Sequence, residues 1–361
     1  MAKVTLQSIA DELGVSRTTV SNAYNRADQL TPELRQRVLD TADRLGYAGP
    51  NLAARTLRTG RRNAVGLLFT EDLNYVFGDP DTQAFLSGVA ETTAGVGTGL
   101  MLLPVPPGHD LAVSPVPLGA VDGFIVYSVA SGHPVLGLLE RAHGPVVVVD
   151  EPDSADIAGF VGIDDRSGAE MAAQHLIELG HRRIGILTGP LGIDPQPGPV
   201  DRARRESATV KVARNRLEGS MQPLAAAGLD METVAVWEAH RNDPDAGRTA
   251  GSEILVANPD ITALLCFSDR IAIGACQAAR RLGLSVPNDL SVVGFDDIPR
   301  ATTWDPPLTT VSQPLVDKGR LAARMLLDVI DGAPAVRKVL PISMVVRSST
   351  APPRIDLRPI D

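Results

Sequence analysis

The chain lacks most of what marks a secreted protein, a membrane protein or an enzyme. Its 361 residues include two cysteines, Cys266 and Cys276, both in apolar surroundings. That excludes a disulfide scaffold and predicts buried free thiols in a reducing compartment. No apolar run approaches the ~20 residues of a membrane span. The opening MAKVTLQ has no apolar signal core, which predicts a cytoplasmic chain. GxSxG, HExxH and the P-loop are absent, and the six histidines are scattered without metal-ligand spacing. GVGTG at 95–99 does not meet GxGxxG and precedes an apolar run, so it reads as a plain loop. Asp164-Asp165 and Asp296-Asp297 are paired acids, but neighbours on extended backbone diverge, so neither pair reads as a dyad. No catalytic residue, cofactor or metal site is expected.

Positive charge is scarce overall, with a net charge of −9, which argues against a chain coated in nucleic acid. The deficit is uneven. Residues 1–62 hold ten Lys/Arg against six Asp/Glu, a surplus of four positive charges that leaves −13 on the remainder. A small basic head on an acidic body fits a DNA reader joined to something that is not one.

The head contains VTLQSIADELGVSRTTVSNAYN, two short helices around a turn at Gly14-Val15. Ala10, Gly14 and Val20 have helix-turn-helix spacing: a small residue for close approach, a glycine for the turn, a branched anchor. On the second helix Val20, Ala23 and Tyr24 share one side. Arg17, Thr18, Ser21 and Asn22 share the other, a face equipped to read base edges in a major groove. Thr31-Pro32-Glu33 starts a third helix, with Leu34, Val38, Ala42 and Leu45 at helical spacing and Gly46 at its end. Next, PNLAARTLRTG favours helix but is shorter than the ~12–15 residues an isolated helix needs in water. It is expected to fold only against a partner or DNA. Leu57 among Arg55, Arg58, Arg61 and Arg62 reads either as an apolar minor-groove wedge or as part of a basic linker.

From Ala64 on, apolar strand patterns at 65–69, 100–105, 123–128, 146–150, 184–188, 234–238, 263–268 and 292–295 alternate with helical ones such as 168–179 and 272–282. Alternation of this kind means α/β architecture, with parallel sheets covered on both faces, here in two lobes. Residues 336–348 read as antiparallel edge strands. His181-Arg182-Arg183 reads as a helix C-terminal cap with cations at the negative dipole end. The polar stretch PLGIDPQPGPVDRARRES, with Pro190, Pro195, Pro197 and Pro199, reads as a mobile insertion. Tyr75 and Phe77 sit beyond the first strand, where a pocket rim or an exposed loop would be.

TLQSIADELGVSRTTVSNAYN followed by LGYAGPNLAARTLRTG resembles the headpiece and hinge of the LacI/GalR (lactose-repressor) family of bacterial transcription regulators. The similarity continues through VVVVDEP, GIDDRSGAEMAAQHLIELGHRRIGILTG, RLEG, CFSDRIAIGACQAARRLGLSVPNDLSVVGFDDIP and PPLTTVSQP. It implies a helix-turn-helix headpiece (1–48), a hinge (49–62) and a two-lobed, periplasmic-binding-protein-like body of doubly wound parallel sheets. The lobes would comprise 63–163 with 313–340, and 164–312 with 341–361. It further implies a homodimer on a double-stranded, pseudo-palindromic DNA operator, acting as a repressor under a small-molecule effector, read as a carbohydrate. A solute-binding protein and a regulator answering a protein partner are the alternatives.

By the same resemblance Arg17, Thr18 and Asn22 match base-reading positions, and Thr5, Ser16, Ser21 and Asn25 match positions near phosphates. Leu57 matches the wedging leucine and Arg58 its minor-groove neighbour. Asn22 departs from the Arg of many members; Asn favours adenine by a bidentate contact whereas Arg favours guanine, so a different half-site at that position is left open. Effector positions match Tyr127, Asp150, Ile163, Asp164, Arg216, Trp237, Ser268, Asp296 and Gln313. Carboxylates and a guanidinium at strand ends suit paired hydroxyls, and an aromatic suits a sugar face. Asp150 and Asp296 have a competing reading as capping or lobe-hinge residues. Ser268 stands where Asn is common, and Ser220 where an aromatic usually follows RLxG. The dimer interface is implied along 85–92 and 272–282, and no leucine heptad follows Ser348.

Overall fold

The computed structural model describes residues 4–47, 61–106, 108, 118–142, 144–152 and 159–354. Two compact units emerge, Met1–Asn63 and Ala64–Asp361.

The first unit is a three-helix head: α1 (Leu6–Leu13), α2 (Arg17–Asn25) and α3 (Pro32–Leu45). Each start is capped by a hydroxyl at the position before it. Thr5 forms a reciprocal capping box with Ser8, Ser16 accepts from the Thr19 N–H, and Thr31 accepts from the Leu34 N–H. Gly14 ends α1 at φ +66°, left-handed backbone that a Cβ would disfavour. Ile9, Ala10, Val20, Ala23, Val38 and Ala42 form the core.

The second unit holds two sheets. Its strands are β1 (Ala64–Phe69), β2 (Gly99–Pro104), β3 (Phe124–Tyr127), β4 (Val146–Val149), β5 (Gly159–Ile163), β6 (Ile184–Thr188), β7 (Gly198–Pro199), β8 (Val236–Glu238), β9 (Ala263–Cys266), β10 (Ser291–Asp296), β11 (Thr309–Ser312), β12 (Arg337–Leu340) and β13 (Ser343–Val345). Its helices are α4 (Leu73–Gly78), α5 (Pro80–Gly95), α6 (Pro134–Ala142), α7 (Asp165–Glu178), α8 (Arg202–Glu206), α9 (Lys211–Ala226), α10 (Pro244–Ala257), α11 (Asp269–Arg281), α12 (Pro299–Thr303) and α13 (Leu315–Ile330).

One sheet runs β12-β5-β4-β3-β1-β2 and is parallel throughout; the other runs β13-β11-β10-β9-β6-β8-β7. The chain therefore passes between lobes three times: from β5 into α7, from β11 into α13, and from β12 into β13. Fully buried Val/Ile/Leu runs such as β6 and β9 explain why the strands need cover on both faces.

Three expectations are corrected. Residues 336–348 are not a pair of antiparallel strands. β12 joins the first sheet parallel to β5, and β13 joins the second antiparallel to β11, because Pro341-Ile342 carries the chain across. The insertion after β6 is folded. Glu238, fully buried, accepts from the N–H groups of Leu191 and Gln196 at 3.0 and 3.1 Å and from Arg204 Nε and Nη2 at 2.8 Å each. His181 is no exposed cation. It is 1 % exposed, its ring nitrogens meet Thr262, Ser291 and the Ala351 carbonyl, and burial pushes it below the usual imidazole range. Arg182 does cap α7, donating to the Ile177 carbonyl.

Among the described residues no helix is long and apolar enough to cross a membrane. Cys266 and Cys276 are free and buried.

Candidate functional site

The head presents one polar helix face. Val20 and Ala23 turn inward, fully buried, while Arg17 and Thr18 on α2 are exposed and Ser21 and Asn22 half-buried. Asn22 Nδ2 donates to Gln29 Oε1 at 3.0 Å, which fixes the plane of its carboxamide. Arg35 Nε donates to the Ala23 carbonyl, tying α3 to the end of α2. The hydroxyl oxygens of Thr5 and Ser16 accept the capping N–H bonds, which leaves each O–H as a donor beside the first backbone N–H groups of α1 and α2. Asn25 is the last residue of α2. Leu57 and Arg58 lie outside the described residues.

In the second unit a cavity of about 600 Å³ opens between the lobes at the C-terminal ends of their strands, the usual place for a ligand in a doubly wound sheet. Ser128, Asp150 and Asp296, each directly after or at the end of β3, β4 and β10, have φ of +49°, +63° and +112°. Three non-glycine residues in left-handed backbone at three strand ends is stored strain of the kind found at ligand sites.

A polar chain crosses its floor from lobe to lobe. Lys318, 1 % exposed, donates to Asp150 Oδ1 at 2.8 Å and to Gln313 Oε1 at 2.6 Å. Gln313 Nε2 donates to Asp296 Oδ1 at 2.7 Å. Arg216 then donates to Asp296 at 3.2 Å, Asp165 at 2.8 Å and the Phe267 carbonyl at 2.7 Å, while its plane lies 3.6 Å from the Phe295 ring centroid. Asp81 reaches Asp296 from α5. Burial, then the Asp296 and Asp79 carboxylates, push the Asp81 carboxyl well up. The two groups form a carboxylic acid–carboxylate pair across the lobes.

The rim is clasped on one side. The Tyr75 hydroxyl donates to the Asn242 carbonyl at 2.8 Å and accepts from Arg270 at 2.9 Å; Arg270 also pairs with Asp79 at 3.1 Å. Arg241 covers the Tyr75 ring at 4.3 Å and reaches Glu71 and Asp72. Phe77 stays exposed.

Of the nine expected effector residues, Tyr127, Asp150, Arg216, Asp296 and Gln313 line this cavity. Four lie elsewhere. Ile163 is in the second lobe's core with Leu176. Asp164 is exposed and spends its carboxylate on the Ser167 N–H and hydroxyl, starting α7; its neighbour Asp165 turns inward to Arg216. Trp237 packs on the second lobe's core and donates to Glu253. Ser268 is fully buried, capping α11 and donating to Asn242 at 2.5 Å. The paired acids do diverge as neighbours, but Asp165 and Asp296, one from each pair, converge on Arg216.

Asp79, Asp81, Glu151, Arg270 and Lys318 escaped the sequence reading, and Asp165 entered it only as one of two adjacent acids. A buried charge announces itself only through its partner, and these partners are 51 to 195 residues apart. The signal that was available was an acid at the first turn of α5, α7 and α11.

The stretch 272–282, expected at a dimer interface, is buried in its own lobe up to Ala279 apart from the half-buried Gln277. A Cβ on Gly274 would meet the Pro244 carbonyl at 2.3 Å, so α11 is pressed against α10. Phe85 likewise faces inward, stacked on Tyr127 at 4.2 Å.

A family model described as a periplasmic binding protein-like domain matches residues 173–350. A helix-turn-helix (HTH-type) transcriptional regulator of Mycobacterium tuberculosis is 44% identical over 353 residues, covering 97% of this chain and 98% of that one. The crystal structure of a LacI-family regulator from Corynebacterium glutamicum superposes with a TM-score of 0.72 at 39% identity, covering 97% of this chain and 100% of the other. A transcriptional regulator CelR–cellobiose complex superposes with a TM-score of 0.70 at 30% identity, covering 96% and 99%. With a three-helix reader, a two-lobed ligand fold and this identity along nearly its whole length, the chain belongs to the LacI family of helix-turn-helix transcription regulators.

Proposed function

We propose that the chain is a dimeric, non-enzymatic repressor, reading a pseudo-palindromic operator through α2 and releasing or gripping it according to a small polyhydroxylated effector in the interlobe cavity. In this reading 1–48 is the DNA-binding head, 49–62 the hinge and 63–361 the effector and dimerisation body. Arg17, Thr18 and Asn22 read base edges, and Leu57 and Arg58 act in the minor groove.

The observation that carries the effector assignment is the chain of hydrogen bonds Asp150–Lys318–Gln313–Asp296–Arg216, which joins groups of both lobes and of which Asp150, Gln313, Asp296 and Arg216 line the cavity. A ligand bonded to that chain contacts both lobes at once, so its affinity differs between closed and open arrangements. That difference is what allows it to shift an equilibrium. The CelR–cellobiose complex, 30% identical to this chain, is a regulator holding a disaccharide, which supports a carbohydrate here.

The test is fluorescence anisotropy of a labelled operator fragment, with and without a panel of sugars and polyols. A sugar-dependent change in operator affinity is expected. Firm operator binding with no response to any metabolite would replace this reading by a regulator that answers a protein partner. Sugar binding without any operator would leave a solute-binding protein.

A further inference from the structure

We infer that Tyr75 is a latch: it fastens the two lobes together at the end of the cleft away from their connections, so that the body stands closed with no small molecule bound. The latch acts on the ligand-free body and is independent of what enters the cleft.

The sheet order shows where the lobes pivot. The three passages of the chain run from β5 into α7, from β11 into α13 and from β12 into β13. β12 and β5 form one edge of the first sheet, and β13 and β11 form one edge of the second. Connections gathered at one edge make a hinge. Tyr75 follows β1, three strand spacings from β5, or ~14 Å. Asn242 follows β8, four spacings from β11, or ~19 Å. A bond made that far from the hinge has a long lever arm against opening.

Four contacts of the Tyr75 side chain reach the second lobe. Its hydroxyl donates to the Asn242 carbonyl at 2.8 Å and accepts from Arg270 Nη1 at 2.9 Å. The Arg241 guanidinium lies 4.3 Å from its ring centroid and that of Arg270 4.9 Å, both within the range of cation–π attraction.

Each half of the latch is held in place by its own lobe. On the first, Asp72 caps α4 by accepting the Tyr75 N–H at 2.9 Å, which places the ring in the first turn of that helix. On the second, Ser268 caps α11 and donates to the Asn242 side chain, which keeps the receiving loop beside Arg270. Halves ordered beforehand lose little entropy when they meet. Arg270 also pairs with Asp79 of the first lobe at 3.1 Å, both buried, so closure brings an ion pair together behind the tyrosine.

The backbone N–H of Lys211 reports on the latch without touching it. It is the first N–H of α9, where no carbonyl of that helix can accept it. It donates instead across the cleft to Glu151 at 2.7 Å. Glu151 follows β4, one strand spacing from β5, so loss of this bond records movement of whole lobes rather than fraying at the rim.

The experiment is hydrogen–deuterium exchange of the full-length protein, read at single-residue resolution by electron-transfer fragmentation, with native mass spectrometry showing that no small molecule is bound. Wild type is compared with Tyr75→Phe, which keeps the ring and removes both hydroxyl bonds, and with Tyr75→Ala, which removes the ring as well. Lys211 is expected to exchange slowly in the wild type, about tenfold faster in Tyr75→Phe and faster still in Tyr75→Ala, with the amides of β6 and β9 unchanged. Wild-type exchange at Lys211 as fast as in Tyr75→Ala would mean that the lobes are not latched, and overturns the inference. Faster exchange confined to 72–78 and 241–248, with Lys211 unchanged, would make Tyr75 a local contact of the rim, and overturns it equally.

Discussion

Glu151 in the first lobe accepts a 2.7 Å hydrogen bond from the backbone N–H of Lys211 in the second. The helix that Lys211 begins has no cap of its own and carries Arg216. One lobe thus completes the helix that places the other lobe's guanidinium, and separating the lobes would undo both.

Burial pushes the Glu151 carboxyl up to about 7, against the pull of the Lys211 N–H, with Asp150 and Asp165 adding to the rise and the Lys211 ammonium opposing it. The folded state therefore holds a proton that the unfolded chain releases from about pH 4.5 upward. The stability from this group is fully present below pH 4.5 and is lost as pH rises through 7. Urea unfolding of wild type and Glu151→Gln between pH 4.5 and 8 should show the wild type losing up to about 3 kcal/mol relative to the variant across that window. A pH-independent difference would remove the linkage.

Arg216→Ala leaves Asp165 and Asp296 buried without their cation. A loss of about 3–5 kcal/mol in urea unfolding is expected for breaking a buried ion pair from one side. A loss under ~1 kcal/mol, the range of exposed pairs, would mean that water reaches these carboxyls.

Arg204→Met deprives Glu238 of two of its four donors. Charge-assisted hydrogen bonds contribute about 1.5–3 kcal/mol each, so the segment 189–210 should open more often. Limited proteolysis should cut within it at least ~10-fold faster than in the wild type. Equal rates would show that β7 pairing and the Leu191 and Gln196 N–H bonds to Glu238 hold it without Arg204.

Arg17→Ala should relax base preference at a single operator position, at about 1–3 kcal/mol, when binding is measured across a half-site library. An even loss over all sequences would reassign Arg17 to a phosphate.

Gln29→Ala removes the tether of Asn22 at an exposed site, so thermal stability should stay within ~0.5 kcal/mol. Discrimination at the base read by Asn22 should fall by about 0.5–1.5 kcal/mol, the worth of one hydrogen bond. Wild-type discrimination would mean that α2 alone orients the carboxamide.

Much of the fold was legible because its signals are local. Thr5, Ser16, Thr31, Gly14 and Gly46 mark the helix ends of the head, since a cap acts within three or four residues. β1, β6 and β9 were legible as apolar runs. β5, with glycines at Gly159 and Gly162, and β11, TTVS, were missed because their burial comes from neighbouring strands rather than from their own composition.

The site was less legible. Tyr127, Asp150, Arg216, Asp296 and Gln313 came from the family resemblance and line the cavity, whereas Asp164 differs from Asp165 only by which side of the chain each occupies.

The sequence by itself determined the polar face of α2, the caps around it and the alternation that makes two doubly wound lobes, because these depend on spacings of two to four residues. Only the tertiary structure decided which acids face the cavity, that Lys318 holds Asp150, and that Glu151 caps a helix of the opposite lobe. Those pairings join positions 168 and 60 residues apart. Electrostatic partners are chosen by distance in space, and the three passages of the chain between the lobes set that distance.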